Sequence, residues 1–290
     1  MPQEKRILLI GSNGQLGSDL MKVLENAVPL THKDIEICDE KQTKSVIEKY
    51  SPEIVINTSA FHKVDLCEDE VEKSFQVNAY AVRNLAMICK EKDIILVHIS
   101  TDYVFDGRKN SPYSESDSPN PLNVYGVSKL AGEYFIRNIL ERFFIIRSSG
   151  LYGAAGASGK GGNFVELMIR FAKEGEPIKV VDDQVLTPTY TRELAENIAG
   201  LIKTEEYGIF HVTNNGECSW FEFAREIFEL GNFHPELSPT TTEDFGAKAM
   251  RPSYSVLGND RLKRTGLDRM SPWKDALKRY MQEKGYIKNS

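Results

Sequence analysis

Tyr125 and Lys129 lie four positions apart in the segment NVYGVSK (123–129), a spacing that suits proton transfer. On a helix, residues four apart share one face, with Cβ atoms roughly 5–6 Å apart. A free tyrosine has a pKa of ~10, and a neighbouring ammonium group favours the phenolate and lowers that pKa. The pair is therefore a candidate acid/base couple. The alternative is that two common residues share a helical face by chance.

A hydroxyl group that could join this pair comes from the segment STDYVFDG (100–107). This segment follows the apolar run IILVHI, so Ser100 and Thr101 are expected where a strand reaches the ligand-binding edge of a sheet. A loop rich in proline and serine separates them from Tyr125. Such a loop can bring a hydroxyl, a phenol and an amine together.

The glycine-rich segment GSNGQLG (11–17) directly follows the first apolar run. Gly11 allows a tight turn, Gly14 allows the backbone to approach a pyrophosphate, and Gly17 allows close packing of helix on strand. The amino terminus of the following helix would attract phosphate groups. The segment predicts a dinucleotide site, and a structural glycine turn is the alternative.

Elements that could position these groups alternate along the first half of the chain. Apolar runs that are not amphipathic predict buried parallel strands at 6–11, 53–60, 94–101 and 143–150. Helical patterns between them cover about 15–26, 41–50, 71–92 and 126–140. This alternation predicts an α/β fold with a doubly wound parallel (Rossmann) sheet, whose strand ends share one ligand-binding edge.

After residue 150 the pattern changes. Residues 150–164 are glycine-rich and predict a mobile loop, and residues 208–214 predict the last strand of the sheet. We expect the Rossmann domain to comprise 1–150 and about 188–213. A smaller, mixed C-terminal substrate domain would comprise about 151–187 and 214–290.

Bulk properties exclude several classes of protein. The 290 residues are 41% hydrophobic and 27% charged, and the net charge of −6 argues against general nucleic-acid binding. The four cysteines and five histidines show no metal-binding spacing, so no metal site is predicted. No run resembles a signal peptide or a membrane span, which predicts a soluble, cytoplasmic protein.

The region after the second strand should distinguish NAD(H) from NADP(H). Asp34 is a candidate for binding the adenosine ribose, whereas His32 and Lys33 could meet a 2′-phosphate. Asp39 is a candidate for the adenine amine, or else a solvated helix start. These residues favour NADP(H) and leave NAD(H) as the alternative.

Together, GSNGQLG, STDYVFDG, NVYGVSKLAGE and RPSYSVL (251–257) resemble the extended short-chain dehydrogenase/reductases, which modify nucleotide sugars. The resemblance runs from residue 6 to about residue 280. Within that family the motifs are most similar to those of reductases acting on dTDP-linked sugars. The resemblance implies NAD(P)H-dependent reduction of the C4 ketone of dTDP-4-dehydro-L-rhamnose.

The resemblance also implies roles for individual residues. Tyr125 would protonate the sugar oxygen, Lys129 would hold the nicotinamide ribose and lower the pKa of Tyr125, and Thr101 would orient the carbonyl. Asp102 would touch the sugar, and Arg251 is the best candidate among the basic tail residues for clamping a diphosphate. With those proposed from the glycine loop and from Asp39, the candidate cofactor-binding residues are Gly11, Asn13, Gly14, Gln15, Leu16, Gly17, Asp39, Ala60, Phe61, His62, Tyr125 and Lys129.

The chain departs from the family pattern at Gly150, where relatives often carry a tryptophan that packs on the sugar. Leu151 or Tyr152 could substitute, whereas the aromatic residues of SWFEF (219–223) are expected in the core. A nucleotide-sugar epimerase or dehydratase, and a non-catalytic regulatory subunit of a methionine adenosyltransferase, are alternative functions. The expected assembly is a monomer or a homodimer.

Overall fold

The computed structural model describes residues 5–155 and 162–288. Its strands are β1 (Ile7–Ile10), β2 (Ala27–Leu30), β3 (Ile54–Asn57), β4 (Ile95–Thr101), β5 (Phe143–Ser148), β6 (Leu151–Tyr152), β7 (Ile178–Val181), β8 (Val185–Leu186), β9 (Thr189–Tyr190), β10 (Gly208–His211), β11 (Cys218–Ser219) and β12 (Leu237–Thr240).

The α-helices of the same residues alternate with the strands in the first half of the chain and dominate the second half. They are α1 (Gln15–Val23), α2 (Glu40–Tyr50), α3 (Val64–Asp69), α4 (Val71–Phe75), α5 (Ala81–Glu91), α6 (Val124–Ile139), α7 (Phe164–Glu174), α8 (Thr191–Leu201), α9 (Trp220–Gly231), α10 (Thr242–Phe245), α11 (Asp260–Arg264) and α12 (Trp273–Glu283).

Six parallel strands form the central sheet in the order β2-β1-β3-β4-β5-β10. This confirms the predicted doubly wound Rossmann sheet, including residues 208–211 as its last strand. Since β1 lies between β2 and β3, the chain reverses its winding direction there. The carboxyl ends of β1 and β3 therefore flank the crevice where such sheets bind ligands.

Each face of the sheet is covered by helices that bury an apolar stripe. On one face, α1 and α8 pack Leu20 and Ile198 against the strands. On the other, α2, α5 and α6 contribute Ile47, Leu85 and Ile136. Burial on both faces explains why the strands are apolar throughout rather than alternating.

A separate apolar cluster joins α7, α9 and α12 and is rich in aromatic residues, including Tyr152, Phe223 and Tyr280. It contains segments both before and after β10, as expected for a smaller unit made from non-contiguous pieces. The domain boundaries themselves stay a prediction. Residues 156–161 of the predicted mobile loop lie outside the described residues, and Leu151–Tyr152 at its start form a short strand instead.

The helix predicted over 71–92 is divided in the structure. α4 and α5 are separated by a π-helical turn, Gln76–Tyr80. Within this turn, Asn78 accepts a hydrogen bond from the Phe61 amide (2.9 Å) and donates one to the Phe61 carbonyl (3.0 Å). The widened turn thus ties the helix to the loop after β3, and such turns often mark functional sites.

Three further observations concern the described part of the chain. None of its helices combines the length and the apolar character that a bilayer crossing requires. Its His, Cys, Asp and Glu side chains form no group of three that could hold a metal ion. All four cysteines are described, and all are free thiols.

Candidate active site

A cavity of about 590 Å³ opens at the carboxyl ends of β1, β3, β4 and β5. Its floor is the glycine loop and the ends of these strands, and its far wall comes from the segments around β8 and the start of α9. The topology therefore brings the segments that the sequence analysis identified as candidates for the site to one edge of the sheet.

The glycine loop connects β1 to α1 with little room for side chains. Gly11 has a φ of +83°, which only glycine adopts readily, and a Cβ on Gly17 would lie 2.1 Å from the Gly11 carbonyl oxygen. Gly14 is the N-cap of α1, and no side chain caps the helix there. The first amide groups of α1 thus face the cavity without a capping side chain and can bind an anion.

Most of the predicted cofactor-binding residues line this cavity, namely Gly11, Asn13, Gly14, Gln15, Leu16, Gly17, Ala60, His62, Tyr125 and Lys129. His32, after β2, also belongs to the lining.

Two predicted cofactor residues lie outside the cavity lining. Asp39 is exposed and caps α2 by accepting a hydrogen bond from the Gln42 amide (3.0 Å), which matches the alternative of a helix start. The Phe61 ring contacts the Lys73 ammonium, 5.0 Å from its centroid. Their cofactor roles stay predictions.

The candidate ribose acid, Asp34, closes the turn after β2. It accepts hydrogen bonds from the Thr31 amide (2.8 Å) and the Thr31 hydroxyl (2.7 Å), and these bonds lower the pKa of its carboxyl group. Neither Asp34 nor Lys33 lines the cavity, whereas His32 does.

Thr101, Tyr125 and Lys129 do converge at the cavity. Thr101 ends β4, and the other two share the first turns of α6. Asn123 caps this helix by accepting a hydrogen bond from the Gly126 amide (2.8 Å). A Cβ on Gly126 would lie 2.2 Å from the Tyr103 carbonyl oxygen, so α6 rests directly on the backbone that follows Thr101.

Thr101 and Tyr125 both line the cavity, and the Thr101 side chain acts to lower the pKa of the Tyr125 phenol. Burial raises the pKa of Tyr125 above its ordinary value, and the effect of Thr101 only partly opposes this rise. Burial is the largest cause of this shift in the chain alone, and the lowering effect expected of Lys129 stays a prediction. Tyr125 holds its proton at neutral pH, as a general acid must.

Lys129 is almost completely buried beneath Tyr125. Its Nζ donates a hydrogen bond to the Ile99 carbonyl (2.6 Å) and lies 3.1 Å from His98 Nε2. Burial lowers the pKa of this amine to about 8, although the nearby Glu133 opposes the shift. The amine thus lies close to the point of losing its proton at physiological pH.

Asp102 is buried next to Thr101 and accepts hydrogen bonds from the hydroxyl groups of Thr101 (3.1 Å) and Ser149 (2.8 Å). Burial raises the pKa of this carboxyl group, while bonds from Ser255, Ser149 and Thr101 oppose the rise. Asp102 lines the cavity, so it could meet a substrate hydroxyl.

Arg251 lies outside the cavity lining and forms a two-pronged ion pair with Asp65, at 2.8 and 3.2 Å. The pair lowers the pKa of Asp65. To clamp a diphosphate, Arg251 would have to share or leave this carboxylate, and that role stays a prediction.

Gly150, where the family resemblance led us to expect a tryptophan, has a backbone conformation that disfavours any side chain. Gly150 has a φ of +55°, and a Cβ on it would lie 2.8 Å from Leu186 Cδ1. Leu151 lines the cavity, whereas Tyr152 is buried in the aromatic cluster and stacks on Tyr190. Of the two substitutes proposed from the sequence, Leu151 alone is in place.

Sequence reasoning missed several residues of the cavity. Trp220 was expected in the core, yet it is partly exposed and lines the far wall with Gln184 and Leu186. Ser255 also lines the cavity and lies in RPSYSVL, but the sequence analysis gave it no role. Ser149 and His98, which lie outside the lining, likewise received none, because their partners Asp102 and Lys129 are distant in sequence.

The sheet, the glycine loop and the Thr101–Tyr125–Lys129 group define an extended short-chain dehydrogenase/reductase. Residues 5–285 match the RmlD substrate binding domain family, and the chain belongs to that family.

Similar proteins span nearly the whole chain. The spore coat polysaccharide biosynthesis protein SpsK of Bacillus subtilis (strain 168) is 39% identical over 283 residues, covering 96% of this chain and 98% of that protein. The dTDP-4-keto-6-deoxy-D-glucose reductase of Streptomyces niveus is 36% identical over 278 residues, covering 94% and 95%. The crystal structure of dTDP-4-dehydrorhamnose reductase from Bacillus anthracis in complex with NADP is 41% identical, with a TM-score of 0.92 and coverage of 97% and 100%.

Proposed function

We propose that the protein reduces the C4 ketone of dTDP-4-dehydro-L-rhamnose to give dTDP-L-rhamnose, with NADPH as the preferred reductant. Two observations support the proposal. The chain belongs to the RmlD substrate binding domain family, and proteins similar to it are named as reductases of dTDP-linked keto sugars. The observation that carries it is the position of the protonated Tyr125 beside Thr101 in the cavity, with Lys129 beneath.

The residues of the floor fit a dinucleotide. Gly14 leaves its side of the cavity open, since a Cβ there would meet just the Gly11 carbonyl oxygen at 3.2 Å. Within the described residues, the buried Gln15 Oε1 has no hydrogen-bond partner, so it can accept one from a bound group. The uncapped start of α1 suits a pyrophosphate.

NADP(H) is favoured over NAD(H) for two reasons. The similar Bacillus anthracis reductase is described in complex with NADP. In this chain, His32 lines the cavity beyond β2, where it could meet a 2′-phosphate. When bound, the reduced nicotinamide supplies the hydride.

Tyr125 supplies the proton that the new alcohol requires. Since burial raises its pKa, Tyr125 is neutral at pH 7 and can give its proton to the C4 oxygen as negative charge develops there. Thr101 has one hydroxyl proton, which Asp102 accepts in the chain alone (3.1 Å). When the substrate binds, that proton would turn from Asp102 to the C4 oxygen and orient the ketone.

The far wall would hold the rest of the substrate. Trp220 offers an aromatic face and Gln184 an amide, which suits a sugar or a pyrimidine base. We assign Arg251, which adjoins Pro252 of the cavity lining, to the diphosphate, on the condition that Asp65 releases or shares it.

The test is a panel of dTDP-linked 4-keto-6-deoxy sugars, each incubated with NADPH or NADH while nicotinamide absorbance is followed. We expect oxidation of NADPH with the L-lyxo (dehydrorhamnose) ketone to exceed that with the D-xylo ketone. No oxidation of either nicotinamide with any sugar of the panel would refute the proposal. A nicotinamide that stays bound through purification, with no net oxidation, would favour the epimerase or dehydratase alternative.

A regulatory subunit would instead co-purify with a synthetase and show no turnover. The cytoplasmic location belongs to the proposal, supported by the four free thiols. The monomeric or homodimeric state, and the division of the chain into a Rossmann domain and a substrate domain, are also part of the proposal.

A further inference from the structure

The cavity wall changes character between the ends of β4 and β5. Thr101, the last residue of β4, lies opposite Ser148, the last residue of β5, in the register of the sheet. Ser149 then donates a hydrogen bond to Asp102 (2.8 Å), so the two chain segments stay side by side beyond the sheet. Gly150, the next residue, therefore lies close to Thr101, which orients the ketone in the proposed reaction.

Gly150 has no side chain, and a residue from another segment covers its place on the wall. Its φ of +55° disfavours a side chain, and a Cβ there would lie 2.8 Å from Leu186 Cδ1. Leu186 is buried and lines the cavity, as does Leu151. The surface beyond the end of β5 is therefore formed by these two leucines.

The backbone around Leu186 is held from both sides. Leu186 lies opposite Cys218 where β8 pairs with β11. On the other side, the Val185 amide donates to the Ser253 carbonyl (2.8 Å), and the Ser255 amide donates to the Val185 carbonyl (2.8 Å). A leucine on a fixed backbone offers a ligand a surface of defined shape.

Polar groups of the lining near this wall direct their protons elsewhere. The Ser148 hydroxyl donates to the Val212 carbonyl (2.8 Å), and the Gln184 amide group donates to the Thr242 hydroxyl (2.9 Å). The wall beside Gly150 therefore offers a ligand the aliphatic carbons of the two leucines rather than hydrogen-bond donors.

We infer that Leu186 is a specificity-determining residue, which binds the methyl group on C5 of a 6-deoxy sugar. The C4 ketone of such a sugar has a carbon with a hydroxyl group on one side and the carbon with the methyl group on the other. Asp102, which releases the Thr101 proton when the substrate binds, can accept a hydrogen bond from that hydroxyl group. Leu186 suits the methyl group.

The same wall disfavours sugars that carry a hydroxymethyl group on C5. Such a sugar would bury its extra hydroxyl group against Leu186 without a hydrogen-bond partner, which is unfavourable. The inference rests on the proposed function, because it specifies further which sugars the same site accepts.

The first experiment compares three ligands that differ only in the substituent on C5 of the sugar. They are dTDP-L-rhamnose, dTDP-L-lyxose, which lacks the methyl carbon, and dTDP-L-mannose, which adds a hydroxyl group to it. Calorimetry measures the binding of each to the whole protein saturated with NADP⁺. We expect dTDP-L-rhamnose to bind at least about 10-fold more tightly than either of the others. Equal affinities would overturn the inference.

The second experiment repeats the comparison with Leu186→Ala. The preference for dTDP-L-rhamnose should fall about 10-fold, because the methyl group loses its apolar contact. Leu257→Ala, which truncates an equally buried leucine outside the cavity lining, is the matched control and should keep the preference. A Leu186→Ala protein with native circular dichroism and an undiminished preference would refute the role of Leu186.

A third variant tests the contact between the two positions. Gly150→Ala places a Cβ against Leu186 and should weaken the binding of dTDP-L-rhamnose. The backbone strain at position 150 is the same in both backgrounds, so a loss of affinity at least about 2-fold smaller in the Leu186→Ala protein would reveal the contact. Equal losses in both backgrounds would contradict it.

Binding and turnover distinguish this inference from the proposed function. If the protein oxidises NADPH with the ketone but shows no preference for the methyl group, ketone reduction stands and the role of Leu186 is refuted. If none of the three ligands binds and no ketone is reduced, both proposals are refuted.

Discussion

Lys129→Met should stabilise the chain in the absence of ligands, even though it removes a residue of the proposed active site. Burial lowers the pKa of Lys129 from 10.5 to about 8. Each pKa unit corresponds to about 1.4 kcal/mol, so a charged amine at this position costs roughly 3 kcal/mol of folding free energy. Methionine fills a similar volume without a charge. The lost hydrogen bond to the Ile99 carbonyl offsets about 1 kcal/mol, which leaves a net gain of about 2 kcal/mol at pH 7.

The pH dependence of this gain follows from linkage. Below about pH 8, Lys129 is charged in both the folded and the unfolded chain, so the whole cost is present. Between about 8 and 10.5 the unfolded chain binds more protons than the folded chain. The unfolding free energy of the unaltered protein therefore rises with pH, and the advantage of Lys129→Met shrinks.

Urea unfolding at about pH 7 and at about pH 9.5, followed by circular dichroism, measures this difference. Lys90→Met on the exposed side of α5 is the matched control and should give no pH-dependent gain. An advantage of Lys129→Met that is the same at both pH values would refute the reasoning, because the pKa of the buried amine would then be unaltered. Ketone reduction should be lost in the same variant.

Three further changes test other parts of the site. Tyr125→Phe should reduce kcat by about 10²–10⁴-fold while NADPH binding, measured by fluorescence titration, is kept; near-normal kcat would contradict the proton-donor role. Gly17→Ala should weaken NADPH binding, since its Cβ would lie 2.1 Å from a loop carbonyl oxygen, whereas Gly200→Ala on α8 meets nothing within 4 Å and should not. Glu133→Gln should lower the unfolding free energy by about 3–5 kcal/mol, because it leaves the buried charge of Arg147 without a counter-charge; a loss below about 1 kcal/mol in urea unfolding would argue against this.

Sequence reasoning located the parts of the site that depend on local spacing. The glycine loop, Thr101 at the end of β4 and the pair on α6 all follow from short patterns joined to a strand–helix alternation. Parallel strands bring their carboxyl ends to one edge, so such patterns converge without further information. The same logic predicted a last strand of the main sheet over 208–214, and the observed strand is Gly208–His211.

Features that depend on burial or on distant partners could not be predicted. The spacing of Tyr125 and Lys129 suggested a lowered tyrosine pKa, but burial of the phenol dominates and Lys129 points toward Ile99 and His98 instead. Arg251 was assigned to an anion with no knowledge that Asp65, far away in sequence, already holds it. Such contacts arise when the chain folds and leave no mark on any short segment.

Because Gly126 has no side chain, α6 packs directly on the backbone of Tyr103, and the hydroxyl groups of Thr101 and Tyr125 lie on these two adjoining segments. The opposite wall, with Leu186 and Trp220, belongs to other segments. Selectivity for different sugars can therefore be redesigned on that wall while the proton-donating unit stays intact. Libraries that vary those two positions and spare Gly126 should yield new substrate preferences more often than libraries spread over the whole cavity.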